Sequence, residues 1–174
     1  MSYDIIVSGY VSLDRVIKIR EQMIFGKTSL VHNHEHLNPE FGGCGINFAV
    51  DMGELGIKSC PIIRVGYDYS STGFKTYLQQ KGINDQAIEV IDEVGTSCSY
   101  LIEDQEMNHV TLYYPGAMDP IYFKPYKQDW FNQAKVAVMT VASQKDNEAF
   151  YNQAKAAKTP LYLGLKLDKD AFPK

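Results

Sequence analysis

The sequence has little of what would direct a protein to a nucleic acid or a membrane. Its 174 residues carry 17 basic and 21 acidic side chains, which gives a formal net charge of −4. A nucleic-acid backbone binds a basic surface, so this balance argues against a nucleic-acid partner. No apolar run approaches the ~20 residues of a membrane-spanning helix, and Met1 to Asp4 lack the basic region of a secretion signal. We therefore expect neither nucleic acid nor membrane as a partner.

Cysteine is also scarce. The three cysteines, Cys44, Cys60 and Cys98, are odd in number and widely spaced, which is typical of reduced thiols and predicts a cytoplasmic protein. For Cys44, which lies among glycines, a small buried hydrophobic side chain is the favoured interpretation, and a reactive thiol is the alternative. The length of 174 residues is enough for one domain with a real core, and 45% of the residues are hydrophobic.

The strongest local signal is the glycine-rich stretch from Phe41 to Gly56, F-G-G-C-G-I-N-F-A-V-D-M-G-E-L-G. Closely spaced glycines precede apolar residues at three- and four-residue spacing, which predicts a helix with Leu55 on its buried face and Gly56 at its end. Glycines let a ligand approach the backbone, and Asn47 falls in the first turn, beside free N–H groups. A tight turn before a core helix is the alternative.

Two common nucleotide-binding motifs do not fit this stretch. No Lys-Ser or Lys-Thr follows the glycines, so the stretch is not a P-loop. Gly43 to Phe48 also lacks the third glycine of a Rossmann fingerprint.

The rest of the chain alternates apolar runs with helical patterns. This alternation predicts a parallel sheet with right-handed crossovers, whose carboxyl-end edge is where ligands bind. The predicted strands are Tyr3–Gly9, Ser59–Gly66, Ile88–Ile91, Val136–Val141 and Leu161–Leu167, and the predicted helices after the glycine-rich stretch are Thr72–Lys81 and Asp146–Ala157.

Shorter segments predict half-exposed strands. Ser97–Ile102 and His109–Tyr114 form a predicted hairpin, and Val16–Ile19 and Leu30–Leu37 are further candidate strands. The histidines at 32, 34 and 36 would share one face of the last strand. A three-histidine metal site is then conceivable, but an exposed lid or interface strand is the favoured interpretation, and we assign no metal site.

The pattern G-G-x-x-x-N-x-A-x-x-x-x-x-L-G, carried by Gly42, Gly43, Asn47 and the helix that follows, resembles the first signature of the ribokinase-like (PfkB) carbohydrate and nucleoside kinases. G-x-x-x-x-D from Gly9 to Asp14 and the segment V-G-Y-D…G…L…K-G-I also resemble that family. The later Y-P-G-A-M sequence resembles its adenosine kinase branch more than its ribokinase branch.

The resemblance implies an α/β fold, a three-layer α/β/α sandwich with a mostly parallel central sheet and a small β-sheet lid. Residues 1–174 would form a single truncated domain that lacks the C-terminal part of the fold, with lid strands near residues 14–37 and 97–114. It also implies phosphate transfer from ATP, with Mg²⁺, to a primary hydroxyl of a sugar or nucleoside. The implied substrate-binding residues are Asp14, Gly42, Gly43 and Asn47, with Ser12 and Tyr114 as weaker candidates, and the lid strands of some members pair into homodimers.

Asp14 is the implied ligand of vicinal sugar hydroxyls, because a carboxylate can accept hydrogen bonds from two adjacent hydroxyls and such charge-assisted bonds are strong. Tyr10, Phe41, Tyr114 and Met118 would either wall the pocket or belong to the core.

The family's G-A-G-D motif, with its catalytic base, and its N-x-x-E motif, which organises Mg²⁺, do not occur in this chain. The resemblance implies that the aspartate that acts as the base lies C-terminal to Lys174. No catalytic residue is therefore assigned within residues 1–174, and we expect the chain alone to be inactive. A non-catalytic sugar- or nucleoside-binding module and a self-associating fragment remain the alternatives.

Overall fold

The computed structural model describes residues 2–34 and 37–164, and its centre is a parallel sheet. Its strands are β1 (Tyr3–Ser8), β4 (Ser59–Gly66), β5 (Ile88–Ile91), β8 (Ala134–Thr140) and β9 (Leu161–Gly164). Their order across the sheet is β5-β4-β1-β8-β9, and all four pairings are parallel. The helices are α1 (Cys44–Glu54), α2 (Phe74–Gln80), α3 (Gln128–Asn132) and α4 (Gln144–Ala157).

Helices cover both faces of this sheet and make three layers. The alternation of β1 divides its side chains, so that Val7 joins a core with α1 and α2, whereas Ile6 joins a second core with α3 and α4. β4 is buried along its whole length, as expected for a strand covered on both faces. The predicted α/β/α sandwich is therefore confirmed.

A second, smaller sheet extends from the carboxyl-end edge of the first, and we call it the lid. The strands of the lid are β2 (Ser12–Lys18), β3 (Glu40–Gly42), β6 (Cys98–Glu103) and β7 (His109–Tyr114). Their order is β3-β2-β6-β7. β2 pairs in parallel with β6 and antiparallel with β3, and β6 and β7 form the predicted hairpin.

The strand predicted at Leu30–Leu37 does not form in the described part of that segment. The described part of the segment pairs with β-strand geometry only at an isolated antiparallel bridge between Ile19 and Val31. Beyond it, the side chain of Asn33 replaces the main chain: it accepts a bond from the Lys18 N–H at 2.8 Å and donates to the Val16 carbonyl at 2.8 Å. The segment follows the edge of β2 without becoming a regular strand, and His36 lies outside the described residues.

A smaller difference concerns the end of α1. Leu55, predicted on the buried face, is 72% exposed because the chain leaves the helix at Gly56, whose φ is +79°. No helix in residues 2–34 and 37–164 is long and apolar enough to cross a membrane.

Two expectations concern the last residues of the chain. Leu161–Leu167 was predicted as one strand, and β9 ends at Gly164, where the described residues end. The rest of that predicted strand lies outside the described residues, and so does Lys174. The expectation that the family's base lies C-terminal to Lys174 therefore stays a prediction.

Candidate substrate site at the base of the lid

The candidate site lies where β1 and β3 meet the start of α1. Gly43 connects β3 to α1 with a φ of +97°, a conformation that favours glycine. A Cβ on Gly43 would lie 2.4 Å from the Tyr10 carbonyl oxygen, so a side chain does not fit. The same carbonyl accepts the Gly45 N–H at 3.1 Å. The glycines thus bring the first turn of α1 against the exit of β1, at the edge where ligands bind in α/β sheets.

Two of the predicted site residues converge on a third, Gly42. A Cβ built on Gly42 would lie 2.5 Å from Oδ2 of Asp14 and 3.7 Å from Oδ1 of Asn47. Asp14 reaches this point from β2 and Asn47 from the first turn of α1. Asp14 is half-buried and Asn47 is exposed, so both oxygen atoms belong to a surface that a small polar molecule can reach.

Ser12 supports the same face of the lid. It lies two residues before Asp14 in β2, and its hydroxyl is within 2.7 Å of the hydroxyl of Ser99. Ser99 is the register partner of Asp14 in β6. The buried Ser12 therefore has a hydrogen-bond partner from the neighbouring strand and holds β2 and β6 together beneath Asp14.

Strand register places Tyr113, and not Tyr114, on the face that carries Asp14. Tyr113 pairs with Ser99, whereas Tyr114 pairs with Cys98 and so faces the other side of the lid. Tyr113 packs edge-on against Tyr10, with ring centroids 5.4 Å apart. Burial raises the pKa of both phenols, which stay neutral hydrogen-bond donors beside the site.

The other proposed wall residues belong to the core. Phe41 stacks on Phe74 with centroids 4.9 Å apart, and Met118 is 2% exposed. Ser99 and Tyr113, which share the face of Asp14, were not predicted from the sequence. The alternation of side chains along β6 and β7 indicates them only when the register of the two strands is known.

Cys44 corrects another expectation. Its side chain is exposed at the start of α1, so the interpretation as a small buried hydrophobe is wrong. Cys60 is the buried cysteine, and burial raises the pKa of its thiol to about 12. Among the described residues, no three His, Cys, Asp or Glu side chains are grouped so that they could hold a metal ion.

Two polar clamps join the lid, and the chain that leaves it, to the main sheet. In the first, the Asp68 carboxylate accepts the Thr96 N–H at 2.8 Å and the Thr96 hydroxyl at 2.7 Å. The same Thr96 hydroxyl accepts the Gly66 N–H at 2.9 Å, which ties the start of β6 to the end of β4.

The second clamp is a buried ion pair between Arg64 of β4 and Asp146 of α4. The two guanidinium–carboxylate bonds measure 2.6 and 3.1 Å, and Arg64 also donates to the Ala117 and Met118 carbonyls at 2.9 and 3.2 Å. Burial opposes the charge on Arg64, but Asp146 more than offsets it and raises the pKa of the guanidinium. Tyr126 donates a further bond to Asp146 at 2.8 Å. This clamp fixes the chain that leaves β7.

Comparison with solved structures shows the class of fold. A ribokinase from Arabidopsis thaliana, complexed with ribose and ATP, matches with a TM-score of 0.77 and 15% identity over 94% of this chain and 53% of its own. A nucleoside kinase from Burkholderia thailandensis, in complex with inosine, matches with a TM-score of 0.70 and 16% identity over 91% of this chain and 51% of its own. The chain has the ribokinase-like fold.

Sequence comparison shows the family. Residues 4–160 match the protein family described as "pfkB family carbohydrate kinase". The chain therefore belongs to that family. It is 29% identical over 100 residues, 58% of its length, to a nucleoside kinase from Methanocaldococcus jannaschii. The match covers 32% of that relative, and the two structures above are covered to about half their length.

Proposed function

We propose that the intact protein, meaning the full-length polypeptide that carries this chain, is an ATP-dependent kinase of a primary hydroxyl on a ribose-containing sugar or nucleoside. This chain supplies the substrate pocket and the lid. The observation that carries the proposal is the convergence of Asp14, Gly42 and Asn47 at one point. The nucleoside kinase relative and the ribose- and inosine-bound neighbours support this substrate class.

The geometry suits a pair of neighbouring hydroxyls. Asp14 offers two carboxylate oxygens, and a charge-assisted hydrogen bond is roughly twice as strong as a neutral one. Asn47 adds an amide that both donates and accepts. Because Gly42 has no side chain, the Asp14 carboxylate can lie directly against the backbone, next to the Asn47 amide.

The sequence contains neither the G-A-G-D motif nor the N-x-x-E motif with which the family supplies its base and organises Mg²⁺. We therefore derive no step of phosphate transfer from this chain and assign the ATP and Mg²⁺ sites to other parts of the intact protein, with the base C-terminal to Lys174. This chain alone is expected to bind substrate without turnover.

Two alternatives differ in what they predict. A non-catalytic binding module would bind a sugar or nucleoside but would show no ATP turnover even as the intact protein. A self-associating fragment would change mass with concentration and bind no ligand. The adenosine kinase branch remains one option within the proposed class.

We also propose that the lid pairs with the lid of a second copy. Its face opposite Asp14 is apolar, and an open cavity of about 670 Å³ there is lined mainly by hydrophobic side chains. Phe25 is fully exposed, and Leu112 and Ile24 are about half exposed. Patches of exposed apolar residues mark interaction sites.

The test of the proposed function is substrate binding by the Asp14→Ala variant. Loss of the carboxylate removes up to two charge-assisted hydrogen bonds, each worth about 1.5–3 kcal/mol. We expect at least a tenfold weaker affinity for ribose or a nucleoside in calorimetry, and loss of ATP-dependent phosphorylation in the intact protein. Asn47→Leu should weaken binding less and mainly alter discrimination among hydroxyl patterns.

Asp51→Ala is the matched control, because Asp51 is an exposed carboxylate on the same helix as Asn47 but is not among the residues at Gly42. It should bind like the wild type. An unchanged affinity in Asp14→Ala would overturn the assignment of Asp14.

A further inference from the structure

A polar groove lies on the face of the lid that carries Asp14. Its volume is about 540 Å³, within the range of about 300–1,000 Å³ of small-molecule sites. Val16 and Lys18 follow Asp14 at alternate positions of β2 and therefore share its face. The remaining lining residues are His32, Asn33, His34 and Glu40.

Glu40 places a second carboxylate beside Asp14. The two residues are register partners in the antiparallel pair of β2 and β3, and like charges directly opposite each other are unfavourable. Within residues 2–34 and 37–164, neither carboxylate belongs to an ion pair. A ligand that donates hydrogen bonds to both would relieve this repulsion, so the pair points to a molecule with donors beyond its sugar hydroxyls.

Asn33 anchors the chain segment that carries the two histidines of the groove. Two hydrogen bonds join the Asn33 side chain to the backbone of β2. The His32 N–H also donates to the Lys18 carbonyl at 3.0 Å. The two imidazoles on either side of Asn33 are therefore carried on an anchored segment. Preorganisation of this kind lowers the entropic cost of binding.

The groove offers complementary chemistry on its two sides. Glu40 accepts hydrogen bonds, the Lys18 ammonium donates them, and an imidazole can do either. Val16 contributes an apolar surface between them. A planar nitrogen heterocycle has ring N–H or amino donors, carbonyl or ring-nitrogen acceptors, and an apolar face. It therefore matches the hydrogen-bond acceptor, the donors and the apolar surface of the groove.

We propose that this groove binds the heterocyclic base of a nucleoside whose ribose is held at Asp14, and that Glu40, with Lys18 and His32, determines the preference for nucleosides over free sugars. The inference rests on the proposed function, since it extends the same site. In this arrangement Glu40 accepts hydrogen bonds from the N–H groups of the base, and Lys18 and His32 donate hydrogen bonds to its acceptor atoms.

The test compares the binding of inosine and ribose to the intact protein by calorimetry. Wild type should bind inosine at least tenfold more tightly than ribose. Glu40→Gln replaces one carboxylate oxygen, an acceptor, with an amide group that donates. It should lower inosine affinity about tenfold and leave ribose affinity within about twofold of the wild-type value. His32→Ala should act in the same direction by a smaller factor. His109→Ala is the control, because His109 is exposed on the same face of the lid but does not line the groove.

The outcomes separate this inference from the proposed function. If Asp14→Ala abolishes binding of both ligands while Glu40→Gln and His32→Ala weaken neither, the groove inference is wrong and the proposed function stands. If ribose 5-phosphate binds more tightly than inosine and loses that advantage in Lys18→Met, the groove holds an anionic group and the inference is again wrong. If wild type binds neither inosine nor ribose, the proposed function fails and the inference fails with it.

Discussion

Single atoms decide whether the candidate site is open. At Gly42 the hydrogen in place of a side chain leaves room for the Asp14 carboxylate, and at Gly43 it lets α1 approach the Tyr10 carbonyl. The two glycines differ in what a methyl group would do. At Gly43 it would meet backbone, which cannot move cheaply, whereas at Gly42 it would meet the mobile end of one side chain.

Gly42→Ala should therefore separate binding from stability. The new methyl group would push the Asp14 carboxylate away from its position, since the added Cβ would lie only 2.5 Å from Oδ2. We expect an affinity for ribose or inosine at least about tenfold weaker, with the urea midpoint of unfolding nearly unchanged.

Gly164→Ala is the control for that substitution, because the nearest atom of the described residues to its new Cβ, on Thr140, would be 4.0 Å away. It should affect neither quantity. Normal ligand affinity in Gly42→Ala would mean that the observed position of Asp14 is not the one that binds.

At the scale of elements, Asp104 organises the tip of the lid hairpin. Its carboxylate accepts the N–H groups of Glu106 at 2.9 Å, Asn108 at 3.0 Å and Met23 at 3.3 Å. Burial alone would raise the pKa of Asp104, but these hydrogen bonds, with one from the Asn108 side chain, leave the pKa below its ordinary value. Ionisation of the Asp104 carboxyl group therefore stabilises the folded hairpin tip.

The pH dependence follows from the sign of that shift. Because the folded-state pKa is lowered, the stabilisation is present above the ordinary aspartate pKa of about 3.9 and is lost as the pH falls through the folded-state value. We expect the Glu106 and Asn108 amide resonances to titrate below pH ~3.9 in NMR spectra. Asp104→Asn should abolish this titration, and its persistence in that variant would assign it to another carboxylate.

The Arg64–Asp146 pair links elements that are distant along the chain. Removing one partner of a buried ion pair leaves an uncompensated charge and typically costs about 3–5 kcal/mol. Arg64→Met should lower the free energy of unfolding by about that amount, whereas Arg64→Met combined with Asp146→Leu should lower it by much less than the sum of the single changes. Urea denaturation of the four proteins in this cycle measures the coupling, and strict additivity would show that the pair does not act as a unit.

At the scale of the whole molecule, the two faces of the lid have opposite character. The face with Asp14 is polar and holds the candidate site, whereas the other face is apolar and exposed. If the apolar face pairs with a second copy, Leu112→Lys should convert a dimer to a monomer in sedimentation measurements, because it would bury an unpaired charge at the interface.

Leu55→Lys, at an exposed leucine directly after α1 and outside the lid, is the matched control and should leave the mass unchanged. A wild-type protein that stays monomeric at high concentration would contradict the proposed pairing.

The sequence by itself determined the features that depend on near neighbours in the chain. The alternation of apolar runs with helical patterns predicted the parallel sheet, and the hairpin of β6 and β7 was found at its correct place. The three-layer sandwich was implied by the family resemblance. The family signature indicated Asp14, Gly42 and Asn47, and the structure brings these residues together, although their role in binding stays a prediction.

Only the tertiary structure decided the features that depend on register and on long-range pairing. Which tyrosine shares a face with Asp14 depends on how β6 pairs with β7, since a shift by one residue would exchange Tyr113 and Tyr114. Asn33 replaces a strand partner through its side chain, which no backbone periodicity reports. Arg64 and Asp146 lie 82 residues apart, and each alone resembles an ordinary surface charge until the packing of α4 on the sheet buries both.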